Sequence, residues 1–280
     1  MIAFATRTTS RKTFGKTLGL VVAALLAFTA LSAKRSIAEP SDARTAQVDG
    51  NRVAYRVLGQ GRPVLVMISG LGDGMASFKD VAPELAKGAT VIVYDRAGYG
   101  GSEPPNTPRD AAAADRELSG LLKASGVAGP YVLLGHSLGG LYAEYFAAHH
   151  PREVAGLILE ESRPADFTVR CAAAKLAMCT PPPSLARFLP KGGQAEAAAL
   201  VQTESQVSVA PVASKRVLVI SRPIPAGAKG FDALWSQVQD DLAARYAARH
   251  LTPPSGGHYV HRDQREWFLT QVNAFLADAR

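Results

Sequence analysis

The chain has 280 residues, enough for one α/β domain with a sizeable core, and its 47% hydrophobic and 20% charged content is that of an ordinary globular protein. Its formal charge of +7 falls to +1 once the six basic residues among the first 38 are set aside, so the basic balance is no ground for a nucleic-acid partner.

Those first 38 residues read as a secretory signal. A basic stretch from Arg7 to Lys16 precedes an apolar core from Leu18 to Leu31, and small residues follow at Ser32-Ala33 and Ser36-Ile37-Ala38. Cleavage is expected after Ala38, with Ala33 as the alternative. The apolar core is shorter than the ~18–20 residues a spanning helix needs, so no stable membrane insertion is expected after cleavage. The mature chain, 39–280, would be periplasmic or secreted. Cys171 and Cys179 suit an oxidising compartment, and a disulfide closing a small loop is expected; two buried free thiols are the alternative.

Residues 46–58 alternate loosely around Asp49-Gly50, which predicts an antiparallel hairpin at a sheet edge. Continuous apolar runs at 63–69 and 90–94 read as strands buried on both faces of a parallel sheet, with a helix between them around 78–86. A helix is expected over 109–125, a strand over 130–134, a helix over 140–149 and a strand over 154–159. Strand–helix alternation of this kind predicts a mostly parallel sheet with helices on both faces. Residues 163–214 break the rhythm with both cysteines, three consecutive prolines and Ala-rich pieces, and read as a small cap inserted between strands. A strand at 216–220, a helix at 232–249, a strand at 250–252 and a helix at 262–277 complete the chain.

The stretch that carries chemistry is Gly135-His136-Ser137-Leu138-Gly139. A G-x-S-x-G pattern between a buried strand and a helix is a nucleophile elbow: the sharp turn projects the serine hydroxyl above the sheet, and the glycines allow close backbone approach. The helix N-terminus beneath it favours developing negative charge.

Four motifs then stand in order: Ser69-Gly70-Leu71-Gly72, Asp95-Arg96-Ala97-Gly98-Tyr99-Gly100, Gly135-His136-Ser137-Leu138-Gly139-Gly140 and Gly256-Gly257-His258. Together they make the chain resemble the α/β-hydrolase fold family over nearly all of residues 45–280, and most of all its bacterial serine carboxylesterase-like branch. Ser69 departs from the His common among relatives before the oxyanion glycine. The resemblance implies Ser137 as nucleophile and His258 as base, with His261 as the substitute. It implies backbone N–H groups of Leu71 and Leu138 as the oxyanion hole.

The acid is harder to assign, because the 216–220 strand ends in Ser221-Arg222-Pro223 with no carboxylate. Some relatives place the acid one strand earlier, where Glu161 stands here. Asp232, Glu160 and Asp263 are the alternatives. Glu160 should face away from Glu161, as neighbours on an extended segment do. Tyr99, Tyr142, Phe167 and Phe188 are candidates for the acyl pocket or for ordinary packing.

The expected activity is hydrolysis of a small-molecule carboxylic ester through an acyl-enzyme. Amidase, aminopeptidase or lactonase chemistry would use the same groups, and a non-catalytic binding protein on the same fold is the reading from another class. No phosphate loop, metal cluster or cofactor motif is evident, so no cofactor is expected.

Overall fold

A computed structural model describes residues 43–177, 179–209 and 216–278; the expected signal at 1–38 lies outside them. The chain opens with β1 (Arg44–Val48) and β2 (Asn51–Leu58), paired antiparallel. Asp49 and Gly50 both take positive φ, 50° and 79°, as the tight two-residue hairpin turn requires. Then come β3 (Val64–Ile68), β4 (Thr90–Tyr94), β5 (Tyr131–His136), β6 (Val154–Glu160), β7 (Arg216–Ile220) and β8 (Arg249–Leu251). The sheet order is β1-β2-β4-β3-β5-β6-β7-β8, and every pairing from β4 to β8 is parallel.

The continuous apolar runs are explained by what covers the sheet. Val66, Ile92, Leu133, Leu157 and Val219 point into one core, against α2 (Ala111–Ser125) and α3 (Leu138–His149). Leu65, Val91, Val132, Ile158 and Leu218 point into the other. That second core is closed by a 3-10 turn at Met75–Phe78, α1 (Ala82–Leu85) and the C-terminal helices. A strand with both faces covered has no position left for alternating polar residues.

Local chemistry sets the element ends. The Asp110 side chain accepts from the Ala113 N–H and starts α2, and Gly126, at φ 72°, ends it. The helix expected around 78–86 is instead the 3-10 turn followed by the single turn of α1, with Pro83 at its start and Lys87-Gly88 just beyond it. Between β6 and β7 lie α4 (Phe167–Ala173), α5 (Pro183–Ala186), α6 (Lys191–Ala198) and α7 (Leu200–Ser208). The Cys171–Cys179 disulfide is formed within this stretch. Next is α8 (Phe231–Arg245), which ends four residues earlier than expected because Ala247, at φ 46°, turns the chain into β8. The last expected helix is broken at Gln264 into α9 (Val260–Asp263) and α10 (Arg265–Ala277).

Candidate active site

Ser137 stands between the end of β5 and the first residue of α3, with φ 53° and ψ −118°. That is a strained conformation for a residue with a Cβ, and such strain collects at functional turns. Close packing enforces it: a Cβ on Gly135 would stand 2.5 Å from the Gly139 carbonyl oxygen. The Ser137 carbonyl accepts from the N–H groups of Gly140 and Arg163, at 3.0 and 3.1 Å.

Across the sheet edge, Glu161 follows β6 with φ 46° and is fully buried. Its Oε1 accepts from the Arg222 N–H at 2.8 Å. Its Oε2 accepts from Trp235 Nε1 at 2.9 Å and from His258 Nδ1 at 3.0 Å, and the Arg222 guanidinium lies 3.4 Å away. The His258 side chain remains 39% exposed, and its other nitrogen has no hydrogen-bond partner among the described residues. His258 and Glu161 are therefore brought together. Asp232 instead pairs with Arg222 Nη2 at 2.7 Å, and Asp263 accepts from the Gly257 N–H. Among the described residues no hydrogen bond joins the Ser137 hydroxyl to His258. Such contacts tighten when substrate is bound.

His136, beside Ser137, is turned toward the loop that carries His258. Its Nε2–H donates to the His258 carbonyl at 2.8 Å, and its ring lies 4.8 Å from the His258 ring. Burial holds its pKa well below the ordinary imidazole value, with the neighbouring His258 and His261 adding to the effect. The link ties the turn that carries Ser137 to the loop that carries His258.

Leu71 lies in the loop after β3, and Leu138 is the first residue of α3. Neither N–H has an acceptor within the described protein, as expected for the free first turn of a helix. The loop is pinned from behind by Arg96, whose Nη1 and Nη2 donate to the Ser69 and Gly70 carbonyls at 2.6 and 2.9 Å. Ser69 takes part without an imidazole: its hydroxyl donates to the Asp73 carbonyl and accepts from Arg96. Arg96 is itself fully buried and paired to Glu196 of α6 at 2.6 Å. Tyr99 donates to the same carboxylate and accepts from the Gly72 N–H. Tyr142 is buried in the main core, whereas Phe188 is 60% exposed.

A second acid–imidazole array lies behind the first. Glu160 accepts from His261 Nδ1 at 2.8 Å, and His261 Nε2 is 3.2 Å from the Ser77 hydroxyl. All three side chains are buried. His136, Glu160 and His261 also bring donor atoms within 4.8 Å of one another, the spacing at which a cation could be considered. Here Glu160 and both His261 nitrogens are already hydrogen-bonded to protein partners.

The sequence pattern of the alpha/beta hydrolase fold family matches residues 63–278. The chain belongs to that family. This member of the family is 33% identical over 113 residues to the uncharacterized protein YbdG of Bacillus subtilis, a match covering 40% of this chain and 35% of that one. It spans about a third of the length of the curated relatives it matches first. Two solved structures share its fold at 22% identity. One is an enol-lactonase from Burkholderia xenovorans, with a TM-score of 0.62 over 84% of this chain and 100% of that one. The other is a thermophilic esterase from Thermogutta terrifontis, with a TM-score of 0.63 over 85% of this chain and 99% of that one.

Sequence reading missed Trp235, Arg222 and Glu196. Trp235 was legible only as an apolar position on α8, although a buried indole N–H requires an acceptor. Glu196 had one signal, a lone carboxylate in an Ala-rich run. Arg96 shows in the sequence as part of the Asp95–Gly100 motif, but nothing local names Glu196 as its partner.

Proposed function

We propose that the hydrolase is a serine carboxylesterase acting on small-molecule esters through an acyl-enzyme. Ser137 Oγ attacks the ester carbonyl carbon while His258 Nε2 takes its proton, and Glu161 holds the opposite ring nitrogen and stabilises the imidazolium. The Leu71 and Leu138 N–H groups stabilise the oxyanion. Collapse expels the alcohol, which carries off the proton. Water, deprotonated by His258, then attacks the acyl carbon and frees the acid and Ser137. The observation that carries this reading is the buried Glu161 on Nδ1 of a half-exposed His258, tied through His136 to the strained Ser137 turn.

Residues 163–214 would act as a cap over the acyl side, and residues 1–38 would direct export, in keeping with the disulfide. The test is hydrolysis of p-nitrophenyl esters of increasing chain length, with labelling by a fluorophosphonate. Burst kinetics and a labelled Ser137 are expected. The absence of both ester hydrolysis and labelling would refute the proposal.

A further inference from the structure

We infer that Trp235 is a positioning residue for the catalytic acid, setting where Glu161 Oε2 sits and how strongly it accepts from His258. The inference rests on the Ser137–His258–Glu161 reading above. Trp235 Nε1–H and His258 Nδ1–H donate to one and the same oxygen, at 2.9 and 3.0 Å. A carboxylate oxygen has about two lone-pair directions, so the two donors together fix the orientation of Oε2, while Oε1 is fixed by the Arg222 N–H. The indole also meets the base directly, edge to face, with ring centroids 6.0 Å apart.

Trp235 is well placed to impose a geometry on its neighbours. It is 4% exposed and buried with Phe167, Cys171 and Val238. Phe167 meets it edge-on at 5.1 Å, and Phe231 stacks on it at 5.7 Å. His258, by contrast, is half-exposed on a loop and has less packing of its own to hold it. A neutral donor on the carboxylate also draws electron density from the lone pair that His258 uses. Trp235 therefore orients the acid and moderates its pull on the imidazole.

The test is Trp235→Phe, which removes the N–H and keeps most of the ring volume. The expected result is a fall in kcat of roughly tenfold, the usual scale for losing a partner that orients an active group, with KM changed less than about twofold. The low-field proton resonance of the His258–Glu161 hydrogen bond should move further downfield, because Oε2 loses its competing donor. A purely structural role would leave that resonance in place.

A second perturbation removes any dependence on how the variant folds. Incorporation of 4-fluorotryptophan in a Trp267→Phe background keeps the shape of Trp235 and makes its N–H a stronger donor. The same resonance should then move upfield. Unchanged kcat in Trp235→Phe, or a resonance that ignores fluorination, would overturn the inference. Wild-type protein with no esterase activity and no labelled Ser137 would instead overturn the reading beneath it.

Discussion

Glu160 and Glu161 are consecutive, and each holds a histidine by Nδ1, yet the two pairs live in different surroundings. Glu160, His261 and Ser77 are sealed in the protein, and every group of that array is occupied by another side chain. Glu161 is equally buried, but its histidine is half-exposed and, among the described residues, no hydrogen bond joins it to the Ser137 hydroxyl. The kink at Glu161, with φ 46°, separates the two carboxylates. The sealed array is the one with the completed acid–imidazole–hydroxyl chain. Hydrogen-bond connectivity alone would therefore point to Ser77; access to a ligand and a strained backbone favour Ser137, the serine of the proposed reaction.

The largest effect should come from comparing the two serines. Ser137→Ala is expected to lower ester hydrolysis by roughly 10⁴-fold or more. Ser77→Ala should leave the rate within about threefold and cost about 2 kcal/mol in denaturant unfolding, the scale of the two hydrogen bonds its hydroxyl makes with His261 and Arg262. Fluorophosphonate labelling found at Ser77 by peptide mapping would reverse the comparison.

Glu196 extends it to a carboxylate held by a guanidinium rather than an imidazole. Glu196→Ala leaves Arg96 buried and unpaired, so a loss of about 3–5 kcal/mol is expected, read in urea melts. Activity should fall in the surviving folded fraction, because Arg96 also steadies the Ser69 and Gly70 carbonyls.

Glu144 supplies the case of a carboxylate held by a phenol, with no salt bridge among the described residues and only the more distant charge of Arg245 opposing its burial. It is fully buried in α3, accepts from the Tyr246 hydroxyl at 2.5 Å and leaves Oε2 without a partner. Burial raises its pKa to about 7 from 4.5. The folded state then holds a proton that the unfolded chain releases between those values. Stability contributed by this group is full below pH 4.5 and is lost as pH rises to 7, on the order of 3 kcal/mol in all. Glu144→Gln should remove that slope and be the more stable protein at pH 8. Parallel stability curves from pH 4 to 8 for variant and wild type would refute the assignment.

How much of this was legible follows from how far apart the partners lie. The strands at 64–68, 90–94 and 216–220 show in the sequence because doubly covered strands are written as unbroken apolar runs. Ser137 shows because the elbow is local, five residues of fixed pattern. Its partners are separated from one another by 97 residues and Trp235 from Glu161 by 74, and no local pattern encodes which donor arrives at a given carboxylate. The resemblance supplied candidate positions for His258 and Glu161, whereas Trp235 and Glu196 had no such guide. The short helices failed for another reason: α1, α9 and the 3-10 turn are each about one turn long, too brief for a helical period to emerge.

The pairing of Arg96 with Glu196 also bears on the order in which the protein is made. Residue 96 leaves the ribosome 100 residues before its counter-ion exists, and a guanidinium is not dehydrated without one. The nascent sheet can gather β2, β3 and β4 early. The Ser69–Gly72 loop is expected to stay wet and open until α6 has been synthesised, so that loop is completed only after the inserted segment arrives.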